Sequence, residues 1–363
     1  MPYYQYLRNI SPAECLRACD GLLRLKTALA EQVPEKTTSG NLLIATWNIR
    51  EFDSSRYGKR MEEAIYYIAE IIDHFDLVAI QEVNEDLEGI NRVRRVLGSA
   101  WRVMFSDVTE GSSGNKERLA FLYDSRKLSF TGLSGEIVIP PLEVTGEDGK
   151  KVYQPASQLA RTPSIVGLRT SWFSFMISTV HILYGKQANE DPNRVEEVRL
   201  LSDFLAQRAD NVYAQSNNLI LLGDFNIYRP GNKTFNEIVR NFHIPAALQD
   251  LPSNVSQNKY YDQIAFRGYV PEAFIKGGIF NYYNYVYRPE DETEYASFMP
   301  DTYHDKDDPE DKARYYEIYW RTHQMSDHLP MWIELKIDFS VSYLNNLKAN
   351  IPIPETPDDE EVD

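Results

Sequence analysis

The sequence predicts an α/β protein in which β-sheets pack as a sandwich flanked by helices, and the order of its elements is what predicts it. Up to about residue 100, short apolar β-branched runs alternate with segments of helical period. Beyond that point, strands separated by turns predominate, with one long helical stretch set among them. This mixed order argues against a doubly wound parallel sheet, in which strand and helix alternate throughout. The apolar fraction of 43%, with 12% aromatics, supplies a core for the 363 residues and excludes a disordered chain.

The elements follow in chain order. Ser11-Pro12-Ala13-Glu14 places a cap, a proline at the first helical position and a glutamate three residues after the cap. Leu16, Cys19, Leu22, Leu23 and Leu29 then recur at helical spacing until Pro34 ends the helix. Lys36 to Gly40 reads as a linker. Next come a strand at Leu42 to Trp47, a helix at Met61 to Phe75, a strand at Asp76 to Gln81 and a helix at Leu87 to Leu97. Strands are expected at Trp101 to Ser106, Leu119 to Tyr123, Leu128 to Ile139, Ile165 to Thr170 and Phe173 to Val180. A helix over Arg194 to Ala209 precedes strands at Leu219 to Leu222, Ile264 to Phe266 and Met331 to Ile337.

Two segments stand apart. Residues 280–324 are rich in tyrosine and acid (NYYNYVYRPEDETEY, then HDKDDPEDK) without a sustained period, and read as an insertion. Its tyrosines suit either a platform for bases or sugars or the packing of the insertion onto the domain, which is the commoner use. The terminal IPIPETPDDEEVD has the composition of a disordered tail. The chain thus divides into a helical extension and linker at 1–40, a domain at 41–339 carrying the insertion, and an acidic tail at 340–363.

With 54 Asp+Glu against 38 Lys+Arg, the net charge is −16, which argues against coating nucleic acid or anionic membrane by bulk charge. Residues 290–312 hold ten acids and two bases, and 355–363 six acids and no base. These two segments account for 14 of the 16 charges, so the remainder does not forbid a polyanionic substrate. Cys15 and Cys19 make neither a disulfide framework nor a zinc site. The start MPYYQYLRNI lacks a signal-peptide pattern, and no run approaches the roughly 18 apolar residues of a membrane span. The expectation is a cytoplasmic protein, and no feature points to an obligate protein partner.

Polar residues recur at the ends of apolar strands: Asn48, Glu82, His181, Asp224, Asn226, Asp262, Asp327 and His328. Each alone has a cap or turn as its ordinary explanation. Together, Asp, Glu and Asn oxygens without a cysteine cluster suit Mg²⁺, with Mn²⁺ or Ca²⁺ able to substitute or assist. Among the other histidines, His74, His243, His304 and His323 are expected to be non-catalytic.

The motifs TWNIREFD, IQEVNED, NKERLAFLYD, STVHILYG, LLGDFNI, YYDQIAF and MSDHLPMWIEL occur in the order and spacing of the endonuclease/exonuclease/phosphatase superfamily. The sequence resembles its deoxyribonuclease I-like members most, over about residues 41 to 337. The resemblance implies a four-layer α/β sandwich of two mixed β-sheets flanked by helices, with the site at one edge of the sheets. It implies Glu82 as the principal metal ligand, supported by Asn48 and Asp327. Asp224 and Asn226 would orient the nucleophilic water and the phosphoryl oxygens, and the resemblance implies Asp224 as a metal ligand as well. His328 would pair with Asp262, and His181 with Glu117, as two acid/base imidazoles. Arg50 and Arg118 are placed for phosphate contact, with a structural salt bridge an equal alternative for each.

Displacement at phosphorus needs a proton taken from water, charge neutralised on the non-bridging oxygens and a stabilised leaving oxygen. The expected activity is Mg²⁺-dependent hydrolysis of nucleic-acid phosphodiesters by an endonuclease. The alternative is a phosphatase, or a phosphodiesterase acting on a small molecule or lipid headgroup. A non-catalytic interaction module is disfavoured, since no expected ligand position is missing. The deoxyribonuclease pattern places a groove-entering arginine after QEV and a tyrosine before KER. Here those positions are Asn84 and Asn115, and the extracellular enzyme's disulfide cysteines are absent.

Overall fold

In the computed structural model, which describes residues 1–52, 54, 58–110, 116–146, 149–186, 189–268 and 270–350, two mixed sheets lie face to face between helical layers. The first sheet has the order β12 (Phe274–Ile279), β13 (Met331–Lys336), β1 (Asn41–Phe52), β2 (Leu77–Asn84), β4 (Glu117–Asp124) and β3 (Trp101–Phe105). The second runs β11 (Asp262–Arg267), β10 (Leu219–Asp224), β9 (Phe173–His181), β8 (Ser164–Thr170) and β5 (Ser129–Glu136). β6 (Leu142–Thr145) and β7 (Lys151–Gln154) form a separate hairpin. β1 with β2, and β9 with β10, are parallel, while the other pairs are antiparallel.

Side-chain alternation explains why β1 is apolar throughout. Leu42 and Ile44 enter the core between the sheets, whereas Leu43, Ala45 and Trp47 face the first helical layer. That layer contains α1 (Pro12–Gln32), α2 (Glu62–Asp73) and α3 (Glu88–Leu97). α4 (Pro192–Ala209) and α5 (Lys233–Val239) cover the second sheet through Val198, Leu201, Leu205 and Ile238.

The expected capping box opens α1: the Glu14 amide donates to Ser11 Oγ at 3.3 Å, and the Ser11 amide to the Glu14 carboxylate at 3.2 Å. Ala18, Leu22, Leu25 and Leu29 bury the helix against α2. Gly21 permits the close approach, since a Cβ there would lie 2.2 Å from the Tyr67 hydroxyl.

Residues 280–324 form short helices, including Asp301–His304, Pro309–Tyr315 and Arg321–Gln324. Elements of four to seven residues are too short to impose a visible period. Tyr282, Tyr283, Tyr287, Tyr295, Tyr303 and Tyr316 are buried, so packing is their use. Tyr287 meets Tyr67 edge to face at 5.8 Å, and the Arg17 guanidinium lies 4.9 Å from the Tyr295 ring.

The sequence patterns did not mark β6, β7 or β12. β12 reads FIKGGI, whose glycines carry no β-propensity but admit the backbone and ring of Trp332. Ser340–Asn350 is helical, and the segment 351–363, expected to be disordered, lies outside the described residues, as does Asn115. Among the described residues no helix is long and apolar enough to cross a membrane.

Candidate active site

Strand register brings the polar strand ends together. In the parallel pair β9/β10, His181 stands opposite Asp224; in the antiparallel pair β10/β11, Asp224 stands opposite Asp262. Asn84 is the partner of Glu117 across β2/β4, which places Glu117 near the end of β2. Gly223 allows β10 to pass β9 closely: its φ is +134°, and a Cβ would lie 2.2 Å from the Val180 carbonyl oxygen. Glu82 and Asn226 both have left-handed backbones, with φ of 61° and 53°. Glu82 falls in the register shift between β2 and β4, a local irregularity of the kind that re-aims a side chain at a sheet edge.

One network joins the sheets. Asn48 Nδ2 donates to Glu82 Oε1 at 2.9 Å and to Asp224 Oδ2 at 3.1 Å. The Glu51 amide donates to Glu82 Oε2 at 2.7 Å, and the Asn226 amide to Asp224 Oδ1 at 2.8 Å. Asn226 Nδ2 is engaged by the Ile182 carbonyl at 2.8 Å. Beneath, Gln81 Nε2 donates to Thr46 Oγ1 at 3.1 Å and to Thr179 Oγ1 at 2.8 Å.

Both histidines carry the expected carboxylate. His181 Nδ1 lies 2.9 Å from Glu117 Oε1, and His328 Nδ1 lies 2.7 Å from Asp262 Oδ2. Their Nε2 atoms face a common oxygen, Asp224 Oδ2, at 3.6 Å from His181 and 3.7 Å from His328. His181 Nε2 is also 3.8 Å from Glu82 Oε1.

The electrostatics differ between the two rings. Burial, reinforced by the nearby Arg161 cation, pushes His181 down to about 4 against the pull of Asp224 and Glu82. For His328 burial acts in the same direction, but Asp262 and Asp224 outweigh it and hold the imidazole well above its ordinary value. Burial would raise Glu82, yet the His181 ring, the Glu51 amide and the Asn48 amide together hold it below the usual carboxylate range.

Two expected residues stand apart from this network. Arg118 follows Glu117 on β4, and successive strand side chains face opposite ways. Its Nη1 donates to the Ser106 carbonyl at 2.9 Å and lies 3.5 Å from Asp107 Oδ1, so the salt-bridge alternative describes it. Asp327 precedes the inward-facing His328, makes no hydrogen bond or ion pair with Asn48 or Glu82, and lies 4.0 Å from Arg50 Nε. Arg50 Nη1 donates to Thr322 Oγ1 of the insertion at 2.5 Å.

Other contributors are not singled out by the sequence, and all but Trp47 lie outside the motifs. Arg161 is buried in contact with Glu117, within the field of Glu82 and Asp224. Glu197 of α4 receives the Leu183 amide at 2.9 Å and the Ala160 amide, fixing the segments that carry His181 and Arg161. Trp47 Nε1 donates to the His328 carbonyl at 3.0 Å, as does the Tyr282 hydroxyl of the insertion at 2.9 Å. These residues make ordinary core contacts elsewhere in proteins, and only the fold brings them here.

The donor set fits a hard divalent cation. One ligand atom from each of Glu82, Glu117 and His181 lies within 4.8 Å of the others. Glu117 lies in ion-pair contact with Arg161 and His181, and Asn48 Oδ1, like Glu117 Oε1, is buried without a hydrogen-bond partner among the described residues. Glu82, Asn48 and Asp224 are therefore the better-suited ligands.

Comparison with known proteins identifies the fold and the family. A deoxyribonuclease from Thioalkalivibrio sp. (strain K90mix) is 30% identical over 191 residues, which are 52% of this chain and 46% of that protein. The match thus spans about half the length of that relative. The structure of an endonuclease/exonuclease/phosphatase family protein from Bacteroides thetaiotaomicron superposes with a TM-score of 0.51 at 14% identity, covering 83% of this chain and 99% of that one. One from Leptotrichia buccalis gives 0.50 at 14%, covering 81% and 99%. These establish the shared fold. With the family pattern matched over residues 45–245, the chain belongs to the Endonuclease/Exonuclease/phosphatase family of phosphoric ester hydrolases.

Proposed function

We propose that the protein is a divalent-metal-dependent phosphodiesterase that cleaves nucleic acid as an endonuclease. The observation that carries this reading is the pair of carboxylate-backed imidazoles, His181 with Glu117 and His328 with Asp262, both facing Asp224 Oδ2. The Asp262 carboxylate hydrogen-bonded at Nδ1 fixes the His328 tautomer and leaves Nε2 free to move a proton, and the Glu117 carboxylate lies in ion-pair contact with His181 Nδ1. With both imidazole Nε2 atoms near Asp224 Oδ2, one ring would take the proton of an attacking water and the other would return a proton to the leaving oxygen. Asp224, anchored by Asn48 and the Asn226 amide, would orient the water. Arg161 would hold Glu117 in place and add positive charge beside the phosphoryl group. Glu82, Asn48 and Asp224 would hold a divalent cation, which would neutralise the non-bridging oxygens.

The name of the Thioalkalivibrio relative favours nucleic acid as the substrate class. An acidic insertion covering the site would hinder a polyanion and so favour the phosphatase alternative. That insertion packs on α1 and α2 through Tyr287 and Tyr295, and it meets the site at Arg50 and the His328 segment. Purified protein is expected to nick plasmid DNA in Mg²⁺ or Mn²⁺ and to lose this activity in EDTA. Failure to cut plasmid, single-stranded DNA and RNA, alongside metal-dependent hydrolysis of another phosphoester, would overturn the assigned substrate.

A further inference from the structure

A row of aromatic rings leads outward from His328. The Tyr261 ring lies 5.4 Å from the imidazole at 31°, Tyr228 lies 5.7 Å from Tyr261, and Tyr184 lies 6.1 Å from Tyr228. Each tyrosine sits beside a strand end that carries a site residue: Tyr184 follows His181, Tyr228 follows Asp224, and Tyr261 precedes Asp262. The register that assembles the candidate site therefore assembles the row as well.

The row is braced from inside and open outside. Arg194 is fully buried, donates to the Tyr184 carbonyl at 2.5 Å and places its guanidinium 5.6 Å from the Tyr228 ring. The Tyr184 and Tyr228 hydroxyls are in contact. Lys259 Nζ, on a partly exposed side chain, lies 4.2 Å from the Tyr228 ring. Tyr184, the outermost ring, is 46% exposed. A cluster serving only as core would bury its last ring, whereas this one presents an aromatic surface and a cation to solvent next to the acid/base pair.

We propose that Tyr184, Tyr228 and Tyr261, with Lys259, form a subsite for a nucleoside flanking the scissile phosphate, with a base resting on the Tyr184 surface and an adjacent phosphate at Lys259. The inference rests on the nuclease reading and specifies its substrate: base faces are available in an unpaired strand and already stacked in a duplex. Cleavage of a labelled single-stranded oligonucleotide is compared with that of the same strand carrying abasic residues. Y184A should lower kcat/KM on the base-bearing strand about tenfold or more. It should match wild type on the abasic strand, and Y184F should restore most of the loss. Equal kcat/KM for Y184A and wild type on the base-bearing strand, or equal losses on both strands, would overturn the subsite and leave the nuclease reading standing. Wild-type protein that nicks plasmid but cleaves neither strand overturns the subsite and leaves the nuclease reading standing, whereas protein that cuts none of plasmid, single-stranded DNA and RNA overturns both.

Discussion

Nδ1 of His328 lies 2.7 Å from Oδ2 of an Asp262 side chain that has no solvent exposure. The carboxylate accepts the ring proton and so leaves Nε2 directed at Asp224. Asp262→Asn keeps the volume but offers an N–H or an amide oxygen in its place, losing both the charge and the tautomer constraint. Turnover on a phosphodiester should fall about 10²- to 10⁴-fold. Thermal unfolding should show a loss of about 3–5 kcal/mol, because one partner of a buried ionic pair is removed. Unchanged turnover in a folded variant would contradict the role given to the pair.

Arg161 contacts Glu117, the residue that backs His181. Lysine preserves the charge but not the planar fork of donors. Arg161→Lys is expected to lower kcat by about two orders of magnitude, with circular dichroism unchanged. Wild-type kcat in this variant would show that charge alone is sufficient there.

The architecture was legible wherever a strand buries both faces or a helix repeats over three turns. β1, α1 and α4 follow directly from such patterns, and the site residues stand at the ends of apolar runs. The Gly-rich β12 and the short helices of the insertion were not legible, because their pairing and packing are decided by distant residues such as Trp332 and Tyr67. Arg161, Glu197 and Tyr282 illustrate the same limit at the site. Each is an isolated residue whose partner is far along the chain. Arg118 follows Glu117 on the same strand, so its side chain starts from the opposite face, and its Nη1 donates to the Ser106 carbonyl.

Tyr287 is fully buried between the insertion and α2, against Tyr67, Tyr295 and Trp320. Tyr287→Ala should cost about 3–5 kcal/mol of stability, as large aromatic truncations do. The kcat of the folded fraction should not change, because this part of the insertion is a buttress. A selective loss of activity at unchanged melting temperature would instead make it part of the site.

His74 supplies a pH dependence remote from the site. Burial holds its imidazole below the ordinary 6.5, and Nε2 is buried with no hydrogen-bond partner among the described residues. As pH falls through about 6.5, the unfolded chain binds a proton that the native state does not. Stability should therefore decrease, by at most about 1.4 kcal/mol per pH unit, until the native imidazole titrates. His74→Gln removes this contribution, so its melting temperature should vary less than that of wild type between about pH 6.5 and 5. Parallel profiles for the two proteins would place the linkage elsewhere.

The most direct measurement is the Mg²⁺-dependent rate of oligonucleotide cleavage by wild type and by His181→Ala, at matched concentration and with folding checked by melting temperature. The expected result is cleavage by wild type that EDTA abolishes, and a rate about 10²- to 10⁴-fold lower in a folded His181→Ala. Cleavage at the wild-type rate by the folded variant, or cleavage that persists in EDTA, would contradict hydrolysis by this pair of imidazoles at a cation site.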